Sequence, residues 1–430
     1  CNKRAEQETC VYTVRLRGGV LLLWVIAIKF MLSKPKIVLS WLVFLLSFAS
    51  LFLSSWIILP APNMFLLTLA VGAPEVSPWL LLLNLLSLSL AFFYIRRRKL
   101  QRFACIFSLI GLLICAWVLV NIPLTQIQMA KAMKQGLGAN YLEQIPVEVR
   151  AKMQTHPFDL VNFFGGIASG KTRHQKDIIF ASPAGVPLKM EIYQPSEVGK
   201  YPAVIVIYGG AWQYGNPRAN SEFNQYIAHQ GYTVFAIDYR HAPKYRFPAQ
   251  LDDVRTALNF IRKHAAEYEA DPERMVLLGR SAGAHLAMLA AYQPDAPPIR
   301  GVVNYYGPVN LPGGYKTPPN PDPINTRAVL KAFLGGSLEE LPNQYEIASP
   351  INYLTHPLPP TLLIYGSRDH LVEARFGRQM YERLHDSGNT AVFLEIPWAE
   401  HAFDAVFNGV SNQLALYYTE RFLAWALFKQ

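Results

Sequence analysis

Three stretches of the chain are apolar without interruption by any charged side chain: Ile37–Leu59, Pro78–Ile95 and Phe103–Ile122. Each is close to the ~20 residues a helix needs to cross a bilayer, which predicts three transmembrane helices. A shorter run, Gly19–Phe30, contains Lys29 and is read as a further helix or as leader. Met64–Ala70 is apolar but too short to span, and is read as an interfacial segment. Ile127–Leu137 and Tyr141–Met153 alternate apolar and polar positions at helical spacing and predict two short amphipathic helices. From Asp177 the pattern changes to short β-branched and aliphatic runs. Strands are predicted over Asp177–Ala181, Pro187–Tyr193, Ala203–Tyr208, Thr233–Asp238, Met275–Leu278, Gly301–Tyr306, Thr361–Tyr365 and Ala391–Ile396. A helix is predicted over Gln250–Tyr268, where Leu251, Val254, Ala257, Leu258 and Ile261 share one face. Continuously apolar strands separated by helices imply a mostly parallel sheet with helices on both faces, an α/β class.

The chain is therefore read as four parts: a basic leader (1–36), which opens on Cys rather than Met, a transmembrane region (37–122), an amphipathic linker or lid (123–174), and an α/β domain (175–430). Charge sharpens this division. The net charge is +10, and residues 1–122 hold twelve of the basic side chains against three acidic ones. Basic residues flanking apolar runs report membrane topology rather than a nucleic-acid surface. The linker Arg96–Arg102 is strongly basic, whereas Pro60–Ser77 has no Lys or Arg. Basic short loops stay cytoplasmic, so the expectation is a multi-pass membrane protein with its α/β domain on the extracytoplasmic side. The four cysteines (Cys1, Cys10, Cys105, Cys115) all precede the α/β domain, which excludes a disulfide framework or a zinc–thiolate site within it. Gly165 to Thr172 fits the spacing of a phosphate loop, but no apolar strand leads into it, and it is read as linker.

The chemistry is carried by Gly279-Arg280-Ser281-Ala282-Gly283, which follows the run Met275–Leu278 and opens a helical pattern. Strand, sharp turn and helix in that order lift a serine hydroxyl above the sheet edge, with Gly279 and Gly283 making room for the turn. A serine needs a base, and His401, just past the last predicted strand, is placed for it; His241, His264 and His285 are not. The base needs a carboxylate, for which Asp369 follows Thr361–Tyr365, with Glu373 in reserve. Tyr208-Gly209-Gly210-Ala211-Trp212 follows another strand. Backbone N–H groups of Gly210 or Ala211, with that of Ala282, are candidate donors to an oxyanion, and Gly209 gives the loop room.

These motifs carry a resemblance. Tyr208-Gly209-Gly210-Ala211-Trp212 is similar to a His-Gly-Gly-X-Trp signature. Asp238-Tyr239-Arg240-His241-Ala242-Pro243 with Phe247-Pro248-Ala249 is similar to Asp-Tyr-Arg-Leu-Ala-Pro and Phe-Pro-Ala. With the serine turn, they make residues 175–430 resemble the hormone-sensitive-lipase-like, acetyl-esterase and feruloyl-esterase-like (BD-FAE-like) group of the α/β-hydrolases. The resemblance implies the α/β-hydrolase fold, a Ser281–Asp369–His401 triad, and hydrolysis of a small-molecule ester without metal or organic cofactor. Membrane placement suggests a lipid or cell-envelope ester and membrane lipid as partner, and no nucleic acid. Tyr208 and His241 depart from the group's histidine and leucine. Ala348-Ser349-Pro350, within the insertion from about Leu311 to Pro360, is read as structural. Amide or formamide hydrolysis on the same residues, and a binding protein retaining the fold, are the alternatives.

Overall fold

The computed structural model describes residues 35–95, 97–354 and 357–429. The run Gly19–Phe30 lies outside the described residues. Four helices open the described chain: α1 (Pro35–Ser55), α2 (Met64–Glu75), α3 (Ser77–Tyr94) and α4 (Arg98–Leu137). The chain divides into two compact units, residues up to Ser55 with Pro78–Ala116, and Trp56–Ser77 with Trp117 onward.

In the first unit, α1, α3 and the first half of α4 bury Val43, Ala91, Ile95 and Ala104 together. The Asn84 amide donates to Ser54 Oγ at 2.8 Å, and Gly111 lies against the Asn84 side chain where any Cβ would collide. The Cys115 thiol joins them, donating to Ser54 Oγ at 3.4 Å; small residues and interhelical polar contacts are how helices associate when burial alone offers little. Large apolar side chains such as Phe92, Phe93 and Leu113 point outward. α1, α3 and α4 are each long and apolar enough to cross a membrane. α4 runs 40 residues and passes through Pro123 without ending there, so Ile127–Leu137, predicted as a separate amphipathic helix, continues the helix of the third apolar run. Of the predicted helix Tyr141–Met153, only α5 (Val147–Arg150) is helical.

In the second unit, α6 (Leu160–Gly165) precedes eight strands: β1 (Thr172–Ala181), β2 (Leu188–Pro195), β3 (Tyr201–Ile207), β4 (Thr233–Ile237), β5 (Ala270–Arg280), β6 (Gly301–Tyr305), β7 (Thr361–Gly366) and β8 (Ala391–Ile396). They form one sheet in the order β1-β2-β4-β3-β5-β6-β7-β8. β2 pairs antiparallel with β1 and β4, and every other pairing is parallel. Between and after the strands lie α7 (Ser221–His229), α8 (Ala249–Lys263), α9 (Ala282–Tyr292), α10 (Leu311–Lys316), α11 (Thr326–Leu334), α12 (Pro342–Ile347), α13 (Ala374–Asp386) and α14 (Val410–Phe428). This is the α/β-hydrolase fold. β3 to β8 are almost wholly buried, which accounts for their unbroken apolar sequences. α9 is buried along its whole length, a consequence of its Ala-rich sequence, apolar but for His285 and the Tyr292 hydroxyl.

Candidate active site

β5 ends at Arg280 and α9 begins at Ala282, leaving Ser281 to make the whole turn. Its backbone sits at φ 51°, ψ −122°, a region that costs a non-glycine residue of order 1–3 kcal/mol and persists only where neighbours impose it. They do so here. The Ser281 N–H donates to the Tyr305 carbonyl at 2.9 Å. A Cβ on Gly279 would run into the backbone of Gly283 and Ala284, and one on Gly283 into the carbonyls of Ile207 and Tyr208. Both glycines are thus required by close approach of backbone to backbone.

His401 follows β8 and Asp369 follows β7, and both reach the same sheet edge as Ser281. His401 Nε2 lies 2.9 Å from Ser281 Oγ, and His401 Nδ1 lies 2.8 Å from Asp369 Oδ2. Asp369 is buried, and its other oxygen, Oδ1, accepts the N–H groups of Leu371 at 2.8 Å and Val372 at 2.7 Å. The carboxylate cannot rotate without losing those bonds. Glu373, the reserve carboxylate, instead holds Arg375 at 2.7 Å.

The turn Gly209–Trp212 lies beside Ser281, with Gly210, Ala211 and Trp212 all at positive φ. Among the described residues, no protein acceptor engages the N–H groups of Gly210, Ala211 or Ala282. Trp212 fixes the turn. Its indole N–H donates to His285 Nδ1 at 3.2 Å, and His285 Nε2 donates to the Ala348 carbonyl at 2.6 Å. The ring also stacks on Phe333 at 4.1 Å. Burial pushes His285 down to about 4, so it stays neutral and can accept from the indole. Ala348-Ser349-Pro350 is structural as expected: Ser349 Oγ additionally accepts the Leu311 N–H at 3.0 Å.

Two groups, and the contact between two residues already singled out, were not identified from sequence. Glu400, next to His401, accepts the N–H groups of His370 at 2.6 Å and His401 at 3.0 Å on one oxygen, and faces His370 Nδ1 with the other. It binds the Asp369 loop to the His401 loop, and its hydrogen bond raises the His370 pKa. Its place beside His401 was the available signal. Asp404 forms a buried pair with Arg280, the residue before the serine, and accepts a hydrogen bond from Tyr306, whose ring packs 4.5 Å from His401. The two departures from the family motifs, Tyr208 and His241, meet each other: Tyr208 OH lies 2.8 Å from His241 Nε2 and donates to Asp238 Oδ1 at 2.5 Å. Burial and the Asp238 charge hold the phenol well above its ordinary pKa, so it remains a donor. A supporting network under the glycine turn is therefore present, built from different residues.

Ser281 and His401 open into a cavity of about 430 Å3, within the range of small-molecule sites. One wall is α2, through Met64, Leu67, Thr68 and Val71. The run Met64–Ala70, read from sequence as interfacial, thus belongs to this cavity.

Residues 190–384 match the family described as BD-FAE. This stretch is similar to the BD-FAE family. The match includes Ser281 and Asp369 and stops short of His401. The probable carboxylic ester hydrolase LipM of Mycobacterium tuberculosis is 30% identical over 240 residues, 53% of this chain and 54% of its own. Esterase LipC of the same organism is 29% identical over 56% of this chain and 62% of its own. The chain thus spans a little over half the length of these relatives. The solved esterase Est2 of Thermogutta terrifontis aligns over 59% of this chain and 89% of its own, at 22% identity and a TM-score of 0.46.

Proposed function

We propose that the α/β domain is a serine esterase in which Ser281 is the nucleophile, His401 the general base and Asp369 its orienting carboxylate. The observation that carries this reading is the unbroken chain of two hydrogen bonds, 2.9 Å and 2.8 Å, joining the three side chains. With Nδ1 donating to Asp369, Nε2 is free to take a proton. Ser281 Oγ attacks the ester carbonyl carbon as its proton passes to His401 Nε2. The resulting oxyanion accepts N–H bonds from Ala282 and from Gly210 or Ala211. Collapse breaks the ester C–O bond, and the leaving alkoxide takes the proton from His401. Water then attacks the acyl–Ser281 ester by the same sequence, releasing the acid and restoring the serine. The names carried by LipM and LipC support an ester as substrate.

The test is labelling by a fluorophosphonate, which should modify the wild type and spare Ser281→Ala. The same variant should lose roughly 10⁴-fold or more in turnover of a nitrophenyl ester. Equal labelling of both proteins, or a loss under tenfold, would remove Ser281 from this role.

The same reading makes α1, α3 and α4 membrane anchors, with the esterase domain extracytoplasmic. The basic Arg96–Arg102 segment supports that sense. A cysteine introduced at Leu100 in a chain otherwise free of cysteine should resist impermeant thiol reagents in intact cells; ready labelling there would reverse the orientation.

A further inference from the structure

The cavity beside Ser281 is walled by a helix that precedes the sheet in sequence by about a hundred residues. α2 turns positions 64, 67, 68 and 71 toward it, the i, i+3, i+4, i+7 face of a helix. The wall is tied down at both ends. The Ile58 carbonyl, before α2, accepts a hydrogen bond from Arg368. At the other end the Glu75 carboxylate, fully buried, accepts the Ser411 N–H at the start of α14 at 2.8 Å. Ser411 Oγ in turn accepts from Trp398 Nε1 at 3.0 Å, three residues before His401. Val329 and Leu330 of α11, with Phe376 of α13, supply further apolar lining. Of the charged groups at the cavity, Arg280 pairs with Asp404 through Nε and lies over the Phe223 ring, its two terminal nitrogens having no hydrogen-bond partner among the described residues, and Glu373 pairs with Arg375. Away from Arg280, an aliphatic chain finds apolar surface.

We infer that α2 forms one wall of a subsite for the aliphatic chain of an ester substrate, and that Thr68 and Val71 set how long a chain fits. The inference rests on the esterase reading and names its substrate class. Burying one methylene is worth about a fourfold gain in affinity, so kcat/KM should climb by up to about that factor per carbon until the cavity is filled. The chain can belong to the acyl or to the alcohol half. Nitrophenyl esters from acetate to dodecanoate read the first, and alkyl acetates from methyl to decyl read the second.

The experiment uses the full-length chain and compares wild type with Thr68→Trp and Val71→Phe, after melting curves establish that the variants fold. In the series that occupies the subsite, the octyl-to-shortest ratio of kcat/KM should fall at least tenfold in each variant. The inference is overturned if the wild type does not gain with chain length in either series, or if both variants hold their ratios within twofold of wild type. Binding of the fluorescent fatty acid cis-parinaric acid to Ser281→Ala separates this inference from the esterase reading. It should bind, and at least tenfold more weakly when Val71→Phe is added. Binding with that loss, but no ester turnover by wild type, would retain the subsite and discard the esterase; no binding would discard the subsite even if esters are cleaved.

Discussion

Replacing Asp369 by Asn tests whether the carboxylate governs the protonation of His401. Asp369 Oδ1 accepts two backbone N–H groups, from Leu371 and Val372, and Oδ2 faces His401 Nδ1 at 2.8 Å. In Asp369→Asn only the carbonyl oxygen of the amide can take the two N–H groups, so the NH2 group must occupy the Oδ2 position. It then donates to Nδ1, which leaves the imidazole proton on Nε2, facing Ser281 Oγ. A nitrogen that already carries a proton cannot accept one. The analogous change in a serine triad costs about 10⁴ in kcat, or roughly 5.5 kcal/mol at 1.36 kcal/mol per tenfold. Because every hydrogen-bond position stays filled, the melting temperature should move little. The assay is kcat/KM on a short nitrophenyl ester beside a thermal melt. A loss below tenfold with an intact fold would show that the tautomer is set elsewhere and would refute the argument.

Two further outcomes concern stability. Asp404→Ala leaves the Arg280 guanidinium buried without its counter-charge and Tyr306 without its acceptor. Breaking such a pair costs about 3–5 kcal/mol, so the melting temperature should fall by roughly 6–20 °C; a fall under 2 °C would mean the pair contributes nothing. Glu75 is raised from 4.5 to about 8 by burial, which outweighs its bonds at Ser411 and Asn412. The folded state therefore holds a proton that the unfolded chain releases, so this group favours folding below pH 4.5 and its contribution is lost as pH rises towards 8. Glu75→Gln, which keeps an acceptor for the Ser411 N–H, should melt higher than wild type at pH 8.5 and close to it at pH 4.5; a lower melting temperature at both pH values would contradict this.

Much of the fold was legible in local pattern. All eight strands were anticipated, because buried parallel strands write themselves as unbroken apolar runs such as Val276–Leu278 and Leu362–Ile364. β1 was anticipated too short: its first residues, from Thr172, alternate exposed and half-buried and carry charge. They resemble linker until paired with β2. The turn at Ser281 and the order of Ser281, Asp369 and His401 were legible because each follows a strand directly. What sequence could not deliver were pairings across distance. Nothing periodic links Arg280 to Asp404, Glu75 to Ser411, or Tyr208 to His241. Each of the last two residues reads alone as a departure from a motif, and only the fold reveals that the phenol and the imidazole share one hydrogen bond. The place of α2 at the cavity was hidden for the same reason, since an apolar stretch between two long apolar runs is explained equally well by lipid.

The tie between Glu75 and the start of α14 bears on how this protein can be handled. A recombinant fragment starting after Ile122, the obvious way to leave out the long apolar helices, would discard α2 together with α1, α3 and the first part of α4. The fragment would remove the α2 wall of the cavity and strip the Ser411 amide of its acceptor. Such a fragment should discriminate poorly between chain lengths, so the stretch between α1 and α3 is better grafted back than trimmed away.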